Sequence, residues 1–337
     1  MMKGILLKLF QIRELSIILL IVLFSLFVGS LNIEFLTGKS ILVMLSGSII
    51  LLVLAVGQSF VLLTANIDVS VGSIMGLSAA VGGTLLVNGS NLFVVLISVI
   101  CVGALCGLIN GIGVAQLKIP AIIMTLGMLG ILRGIMLIFT EGMWIEAIPT
   151  YFKMYAVTDF LGLPYPVWIG IFICLIAYLF LNKTKFGSYF YAVGDNLDGA
   201  KLVGLPVKTV SILAFVFSGI SAAIAALIFI MNIGFVPNQT GSGIELQVIA
   251  AAVLGGVSLT GGAGTVIGAA LGAICFTIIN NSLVYMKIPA YWNGAISGLL
   301  LLAIVIADTK FQKFISRRKL TNMNSQPTNK GMEESSP

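Results

Sequence analysis

Apolar residues along this chain fall into long, nearly unbroken runs. They show neither the strict alternation of a half-buried strand nor the narrow stripe of a soluble helix. The runs cover residues 15–31, 41–63, 69–87, 92–117, 119–139, 167–181, 210–231, 246–257, 266–279 and 295–307. A helix needs about 20 apolar residues to cross the hydrocarbon core of a bilayer. The pattern therefore predicts an all-α polytopic membrane protein of about ten transmembrane helices. Residues 246–257 are short for a straight span, so a broken or re-entrant helix buried in protein is expected there.

Polar interruptions set the orientation. The most basic one, residues 182–208, reads NKTKFGSYFYAVGDNLDGAKLVGLPVK. Together with the N-terminal Lys3, Lys8 and Arg13 and the C-terminal Arg317, Arg318 and Lys319, this island holds most of the positive charge. The positive-inside rule places all three regions in the cytoplasm. Six runs precede the island and four follow it, which agrees. The expected organisation is a cytoplasmic N-terminus (1–14), a transmembrane domain (15–309) and a cytoplasmic, largely disordered tail (310–337). The basic start and first apolar run mimic a secretory signal, but no A-x-A site follows and many further spans do. The longest outer loop, 140–166, contains Glu141, Trp144, Glu146, Lys153 and Asp159; a second, 232–245, is rich in Gly, Pro and Asn.

Composition agrees. The chain has 337 residues, 59% hydrophobic and only 9% charged. A soluble domain carries roughly 25% charge, so the solvent for most of this surface must be lipid. Thirty-eight glycines suit close helix–helix approach. The absence of histidine excludes imidazole catalysis and imidazole metal ligation. Cys101, Cys106, Cys174 and Cys275 all lie in apolar runs without metal-ligand spacing, and read as packing residues. The net charge of +6 reports orientation and not nucleic-acid binding. Internal repetition is faint. Lys-Ile-Pro-Ala occurs at 118–121 and 287–290, and Gly-x3-Gly at 72–76 and 264–268. The two separations differ, so structural repeats and coincidence are both open.

Four segments could carry chemistry. Asn66, Asp68 and Ser70 lie in NIDVSVGS, ahead of an apolar run. They either cap a helix or mark a break that lines a path for a polar solute. Arg133 lies inside an apolar run. A charge there either snorkels toward the outer surface near Glu141 or pairs inside with Glu245 or Glu141, and a structural ion pair is expected over a ligand. Residues 234–245, GFVPNQTGSGIE, concentrate neutral hydrogen-bonding groups. They form either a connecting loop or part of a path for a neutral, hydroxyl-rich solute. The glycines of 255–265 (GGVSLTGGAGT) fit tight packing or a helix break. No GxxxxGK[ST] pattern is present, so they are not read as a phosphate loop.

No ATP-binding motif is present, and no carboxylate lies clearly at mid-membrane, apart from re-entrant positions near Asp68 and Glu245. Energy must come from elsewhere, or transport is passive. The island is where an external motor could dock. Its glycines, Gly187, Gly194, Gly199 and Gly204, divide it, and Asp195 or Asn196 is placed to cap a short helix through 197–203. Lys183, Lys185, Lys201 and Lys208 serve orientation in either case.

Over nearly its whole length the chain resembles the permease subunits of bacterial ABC importers of the ribose/branched-chain type. The segments that carry the resemblance are 66–73 (NIDVSVGS), 186–196 (FGSYFYAVGDN) and 250–264 (AAAVLGGVSLTGGAG). Residues 118–127, 133–137, 140–146, 232–243 and 288–293 resemble the branch that imports the sugar-like signal autoinducer-2 more than the ribose branch. The resemblance implies an inner-membrane importer subunit working by alternating access. Its partners would be ABC ATPase subunits, a sister permease or a second copy of itself, an extracytoplasmic binding protein and lipid, with no nucleic acid. It implies no cofactor on this chain, with ATP held by the ATPase. It makes the island a coupling loop, with Phe186, Gly187, Tyr191, Gly194, Asp195, Asn196 and Lys201 as coupling residues. Asn66, Asp68, Ser70, Trp144, Asn238, Gln239, Thr240 and Glu245 are the candidates for the solute path or the binding-protein contact. Ribose or another monosaccharide is the alternative cargo, and a stand-alone secondary carrier the alternative mechanism. An intramembrane enzyme is disfavoured by the lack of histidine and of a convincing carboxylate pair.

Overall fold

The computed structural model describes residues 13–289 together with 292, 294–296, 298–299, 302–303 and 306. The expected tail at 310–337, six residues of the expected tenth span at 295–307 (297, 300, 301, 304, 305 and 307), and Lys3, Lys8, Arg317, Arg318 and Lys319 lie outside the described residues. The apolar runs become helices α1 (Arg13–Leu31), α2 (Gly38–Leu63), α3 (Val71–Val87), α4 (Leu92–Ala115) and α5 (Ala121–Phe139). After the loop come α7 (Tyr165–Lys183), α10 (Val207–Ile233), α11 (Ile244–Leu254) and α12 (Val266–Tyr285). Among the described residues, seven helices are long and apolar enough to cross a membrane.

Two expected spans fall short of a crossing. Helix α3 has 17 residues and α11 has 11. In both, the chain approaches the helix through a non-helical segment, 64–70 before α3 and 234–243 before α11. An apolar run records that a stretch is buried, but Asp, Ser, Gly and Pro decide whether its backbone is helical.

Helix α10 is the central post, packed against α2, α3 and α4. It runs antiparallel to α2, since Gly57 faces Ser221 while Phe60 meets Phe217. The faint repetition has a structural counterpart around this pair. Helix α2 leads through a break to the short α3, the long α4 and a turn at Lys118; α10 leads through a break to the short α11, the long α12 and a turn at Lys287. Both lysines take left-handed backbone, at φ 57° and 59°, before an Ile-Pro pair. Because α2 and α10 are antiparallel, the two series are inverted relative to each other, an arrangement that transporters use to build a site between repeats.

Outward faces are apolar. Helix α4 exposes Val94, Ile97, Leu105 and Leu108, with Cys101 among them. The loop 140–166 is more ordered than a plain connection. It contains α6 (Thr150–Val157) and a hairpin of β1 (Asp159–Phe160) and β2 (Leu163–Pro164). Ile145 pairs with Val236 in an antiparallel bridge that ties this loop to the 234–243 segment.

Candidate functional site: a joint at one end of the bundle and a break within it

The island folds into α8 (Lys185–Asp195) and α9 (Leu197–Leu202). Local chemistry explains both. The Thr184 hydroxyl accepts from Gly187 N–H at 2.9 Å and starts α8, and the Asn196 carbonyl oxygen accepts from Gly199 N–H at 2.8 Å and starts α9. Asn196, one of the two expected caps, is therefore the one used. The island is not a free aqueous loop. Phe190 is fully buried, with ring centroids 5.6 Å from Phe60 on α2 and 5.9 Å from Phe180 on α7. Phe60 in turn lies 5.0 Å from Phe217 on α10, so one aromatic cluster anchors α8 to three membrane helices.

At the C-terminal end of α8 the island meets the 255–265 stretch and the end of α2. Gly194 lies against the Leu63 carbonyl at the end of α2 and against the amide of Gly262, and Gly262 N–H donates to Leu63 O at 3.0 Å. A Cβ at Gly194 would collide with backbone on both sides, so the position requires glycine. The Tyr191 phenol donates to Gly264 O at 3.2 Å. Burial raises that phenol above its ordinary range, which keeps it a neutral donor at physiological pH. The 255–265 stretch is thus an elbow between α11 and α12, clamped between α2 and the island, and its glycines serve close backbone contact. The face of the island away from the bundle is mixed. Lys183, Lys185, Lys201 and Lys208 are exposed, and Lys201 pairs with Asp198 at 2.9 Å. Leu202 is 89% exposed and Val203 73%, an apolar tip between charges. Sequence reading weighted the lysines and missed this tip, although LVGL at 202–205 is the one apolar tetrad of the island's second half.

Inside the bundle, the 64–70 segment folds back so that Asp68 and Ser70 are both fully buried. The Asp68 carboxylate accepts from Ser70 N–H at 2.9 Å, from Ser70 Oγ at 2.6 Å and from Ser218 Oγ on α10 at 2.9 Å. Asn110 on α4 donates to Ser70 Oγ at 2.8 Å, and the Thr125 hydroxyl on α5 accepts from Val69 N–H at 3.1 Å. A polar node therefore joins four elements at the break. Ser70 makes no side-chain cap on α3, so these oxygens hold tertiary contacts and not the simple helix cap that was one reading of the segment. Asn66 is turned back on its own loop, bonding Thr64 O at 3.0 Å. Asn110 and Ser218 were missed, because a single polar residue in an apolar run gives no hint of its partner.

The second break runs alongside the first. Gly72 at the start of α3 and Gly241 meet backbone to backbone, leaving no room for a Cβ on either. Glu245, in the first turn of α11, reaches toward Gly72. Of the two readings of Arg133, snorkelling near Glu141 or pairing inside, the inward one is nearer. Arg133 donates to Thr240 O at 2.7 Å and feels the charge of Glu245, although among the described residues no carboxylate lies within salt-bridge distance of it. The turn at 237–240 is closed by Thr240 N–H donating to Pro237 O at 3.0 Å, which leaves the Thr240 carbonyl for the guanidinium. Thr240 itself is buried, with its hydroxyl on Pro237 O at 2.7 Å. Toward the end of the bundle opposite the island, Asn238 donates to Gly142 O at 2.6 Å, Trp144 stacks on Phe235 at 5.7 Å, and Gln239 is exposed. Trp144, Asn238 and Gln239 thus share a rim, whereas Asp68, Ser70 and Thr240 are interior.

Beside the second break, at the start of α11, opens a cavity of about 340 Å³. Ser242, Gln247, Thr277 and Asn280 reach its wall; of these only Ser242 lies in a segment that the sequence reading singled out, 234–245.

The chain is similar to the "Autoinducer 2 import system permease protein LsrC" of Salmonella typhi, with 44% identity over 320 residues, covering 94% of this chain and 92% of that protein. The protein of the same name from Salmonella typhimurium matches at the same identity and coverage. That of Escherichia coli K12/DH10B is 45% identical over 305 residues, covering 90% of this chain and 89% of its own. No solved structure matches. The family model described as "Branched-chain amino acid transport system / permease component" matches residues 40–305, which span both breaks, the island and the elbow. The chain therefore belongs to that family of ABC importer permease components, proteins of the membrane.

Proposed function

We propose that this protein is the transmembrane permease subunit of an ATP-driven importer that carries autoinducer-2 across the inner (plasma) membrane by alternating access. The observation that carries the cargo is the 44% identity, over 94% of the chain, to permeases named for autoinducer-2 import. The chain has about ten spans with both termini in the cytoplasm, bounded as 1–14, 15–309 and 310–337. ATP is held and hydrolysed on separate ATPase subunits, and this chain carries no cofactor. An extracytoplasmic binding protein delivers the solute, and a sister permease completes the pathway.

The island supports a coupling role. A loop transmits force only if it is ordered and attached, and α8 is attached through Phe190 and through Gly194. Its exposed tip of Leu202 and Val203, flanked by Lys201, suits a groove on a soluble partner. When ATP draws the ATPase subunits together, α8 and α9 move as one piece. Phe186, Gly187, Tyr191, Gly194, Asp195, Asn196 and Lys201 then pass that motion to α2 and to the elbow. Asn66, Asp68, Ser70 and Thr240 hold the breaks around the solute path, with Glu245 at the start of α11. Trp144, Asn238 and Gln239 lie on the rim where the binding protein would dock.

Reconstitution tests this reading. The full set of subunits in proteoliposomes should take up autoinducer-2 with ATP, in preference to ribose, and this chain alone should not. Uptake by the chain alone at the rate of the full set would replace the importer with a stand-alone carrier. Preference for ribose would keep the importer and change the cargo.

A further inference from the structure

The cavity beside α11 is lined from α2, α3, α10, α11 and α12, around the turn where the second break becomes helix. Its volume of about 340 Å³ falls in the ~300–1,000 Å³ range of small-molecule sites. No charged residue lines it among the described residues. Ser242, Gln247, Thr277 and Asn280 provide hydroxyl and amide groups on one side, while Leu51 and Met75 provide apolar surface on the other. The carbonyl oxygen of Asn280 is buried and has no hydrogen-bond partner among the described residues. A buried acceptor without a donor is costly, and this one belongs to a residue of the cavity wall.

We infer that this cavity is a transit site for a neutral, hydroxyl-rich solute, held by Asn280, Thr277, Gln247 and Ser242. The inference rests on the importer reading and specifies where in this chain the solute is met. Amides and hydroxyls both donate and accept, so they match a polyol on any of its faces. The apolar wall covers the C–H face of such a molecule. A free amino acid is a poor fit, because its ammonium and carboxylate would enter without counter-charges. A lipid tail is a poor fit because it would leave four polar side chains unsatisfied. The site lies between the inverted series, where a change in their relative tilt would alter its opening.

The test uses the complete importer in proteoliposomes, with Thr277→Val and Asn280→Ala in this chain. Thr277→Val removes one hydroxyl at nearly constant volume, which guards against misfolding as the cause of any loss. Uptake of autoinducer-2, ribose and leucine is measured together with ATP hydrolysis stimulated by the binding protein. Each variant should carry at least about fivefold less hydroxylated solute per ATP hydrolysed, while stimulated hydrolysis stays as in the wild type. An unchanged ratio of solute to ATP in both variants, with the wild type carrying autoinducer-2 or ribose, overturns the cavity's role and leaves the importer reading standing. A wild type that carries leucine but neither hydroxylated solute overturns the cavity's role and the autoinducer-2 cargo, and keeps the importer.

Discussion

Asp68, fully buried, accepts three hydrogen bonds from Ser70 and Ser218, and Ser70 in turn receives Asn110. Removing the carboxylate strands the Ser218 hydroxyl on α10 and the Ser70 donors on the break itself. Each stranded buried donor costs about 1–3 kcal/mol. Asp68→Ala should therefore lower the thermal midpoint of the purified protein in detergent by several degrees, and Asp68→Asn, which keeps an acceptor oxygen, by less. Equal midpoints for all three proteins would show that the node contributes nothing to stability. This residue also shows what a sequence can and cannot disclose. An Asp between two apolar runs was legible as a cap or a break. That its partner is Ser218, 150 positions away, was not, because hydrogen-bond pairing across a fold leaves no periodic trace. Arg133 was legible only in part for a related reason: a carboxylate such as Glu245 can be sought in the sequence, whereas a carbonyl such as that of Thr240 exists at every position.

Elements were more legible than their contacts. Among the described residues a helix forms at each apolar run from 15–31 to 266–279, within a few residues. Helix α3 falls short of the full span read there, and α11 is short as its run was. The island was read as soluble because charge dominates its composition. Its structure follows from four aromatic residues spaced along α8, of which Phe190 is fully buried. The contact at Gly194 gives the sharpest test of the joint. A Cβ there would lie 2.6 Å from the amide nitrogen of Gly262 and closer still to the Leu63 carbonyl, and backbone on both sides cannot yield cheaply. Gly194→Ala should reduce solute carried per ATP hydrolysed by about tenfold or more, with the protein still inserted in the membrane. Asp195→Arg, at the neighbouring contact with Gly262, should act in the same direction. Normal ATP-dependent uptake in both variants would remove the joint from the coupling path.

The whole molecule is organised around the antiparallel pair α2 and α10, with the remaining helices placed outward from it. The lipid-facing surface follows from that arrangement. On α4, Ile97, Cys101 and Leu105 face out, while Val99 and Cys106 face in. A photoactivated carbene label dissolved in lipid should mark the first three strongly and the last two weakly, read by peptide mass spectrometry. Equal labelling of both sets would mean that the helix is rotated or covered. One feature ties the two ends of the molecule together. Helix α11 begins at the solute cavity and ends at the elbow clamped by Gly194 and Leu63. It is 11 residues long, about 16 Å at 1.5 Å per residue, and too short and well packed to bend. Mechanically it is a push-rod, hinged on glycine at each end. A nudge at the clamp cannot be absorbed along its length. It has to arrive at Ser242 and Gln247, so the stroke of the motor and the grip on the cargo are two readings of the same displacement.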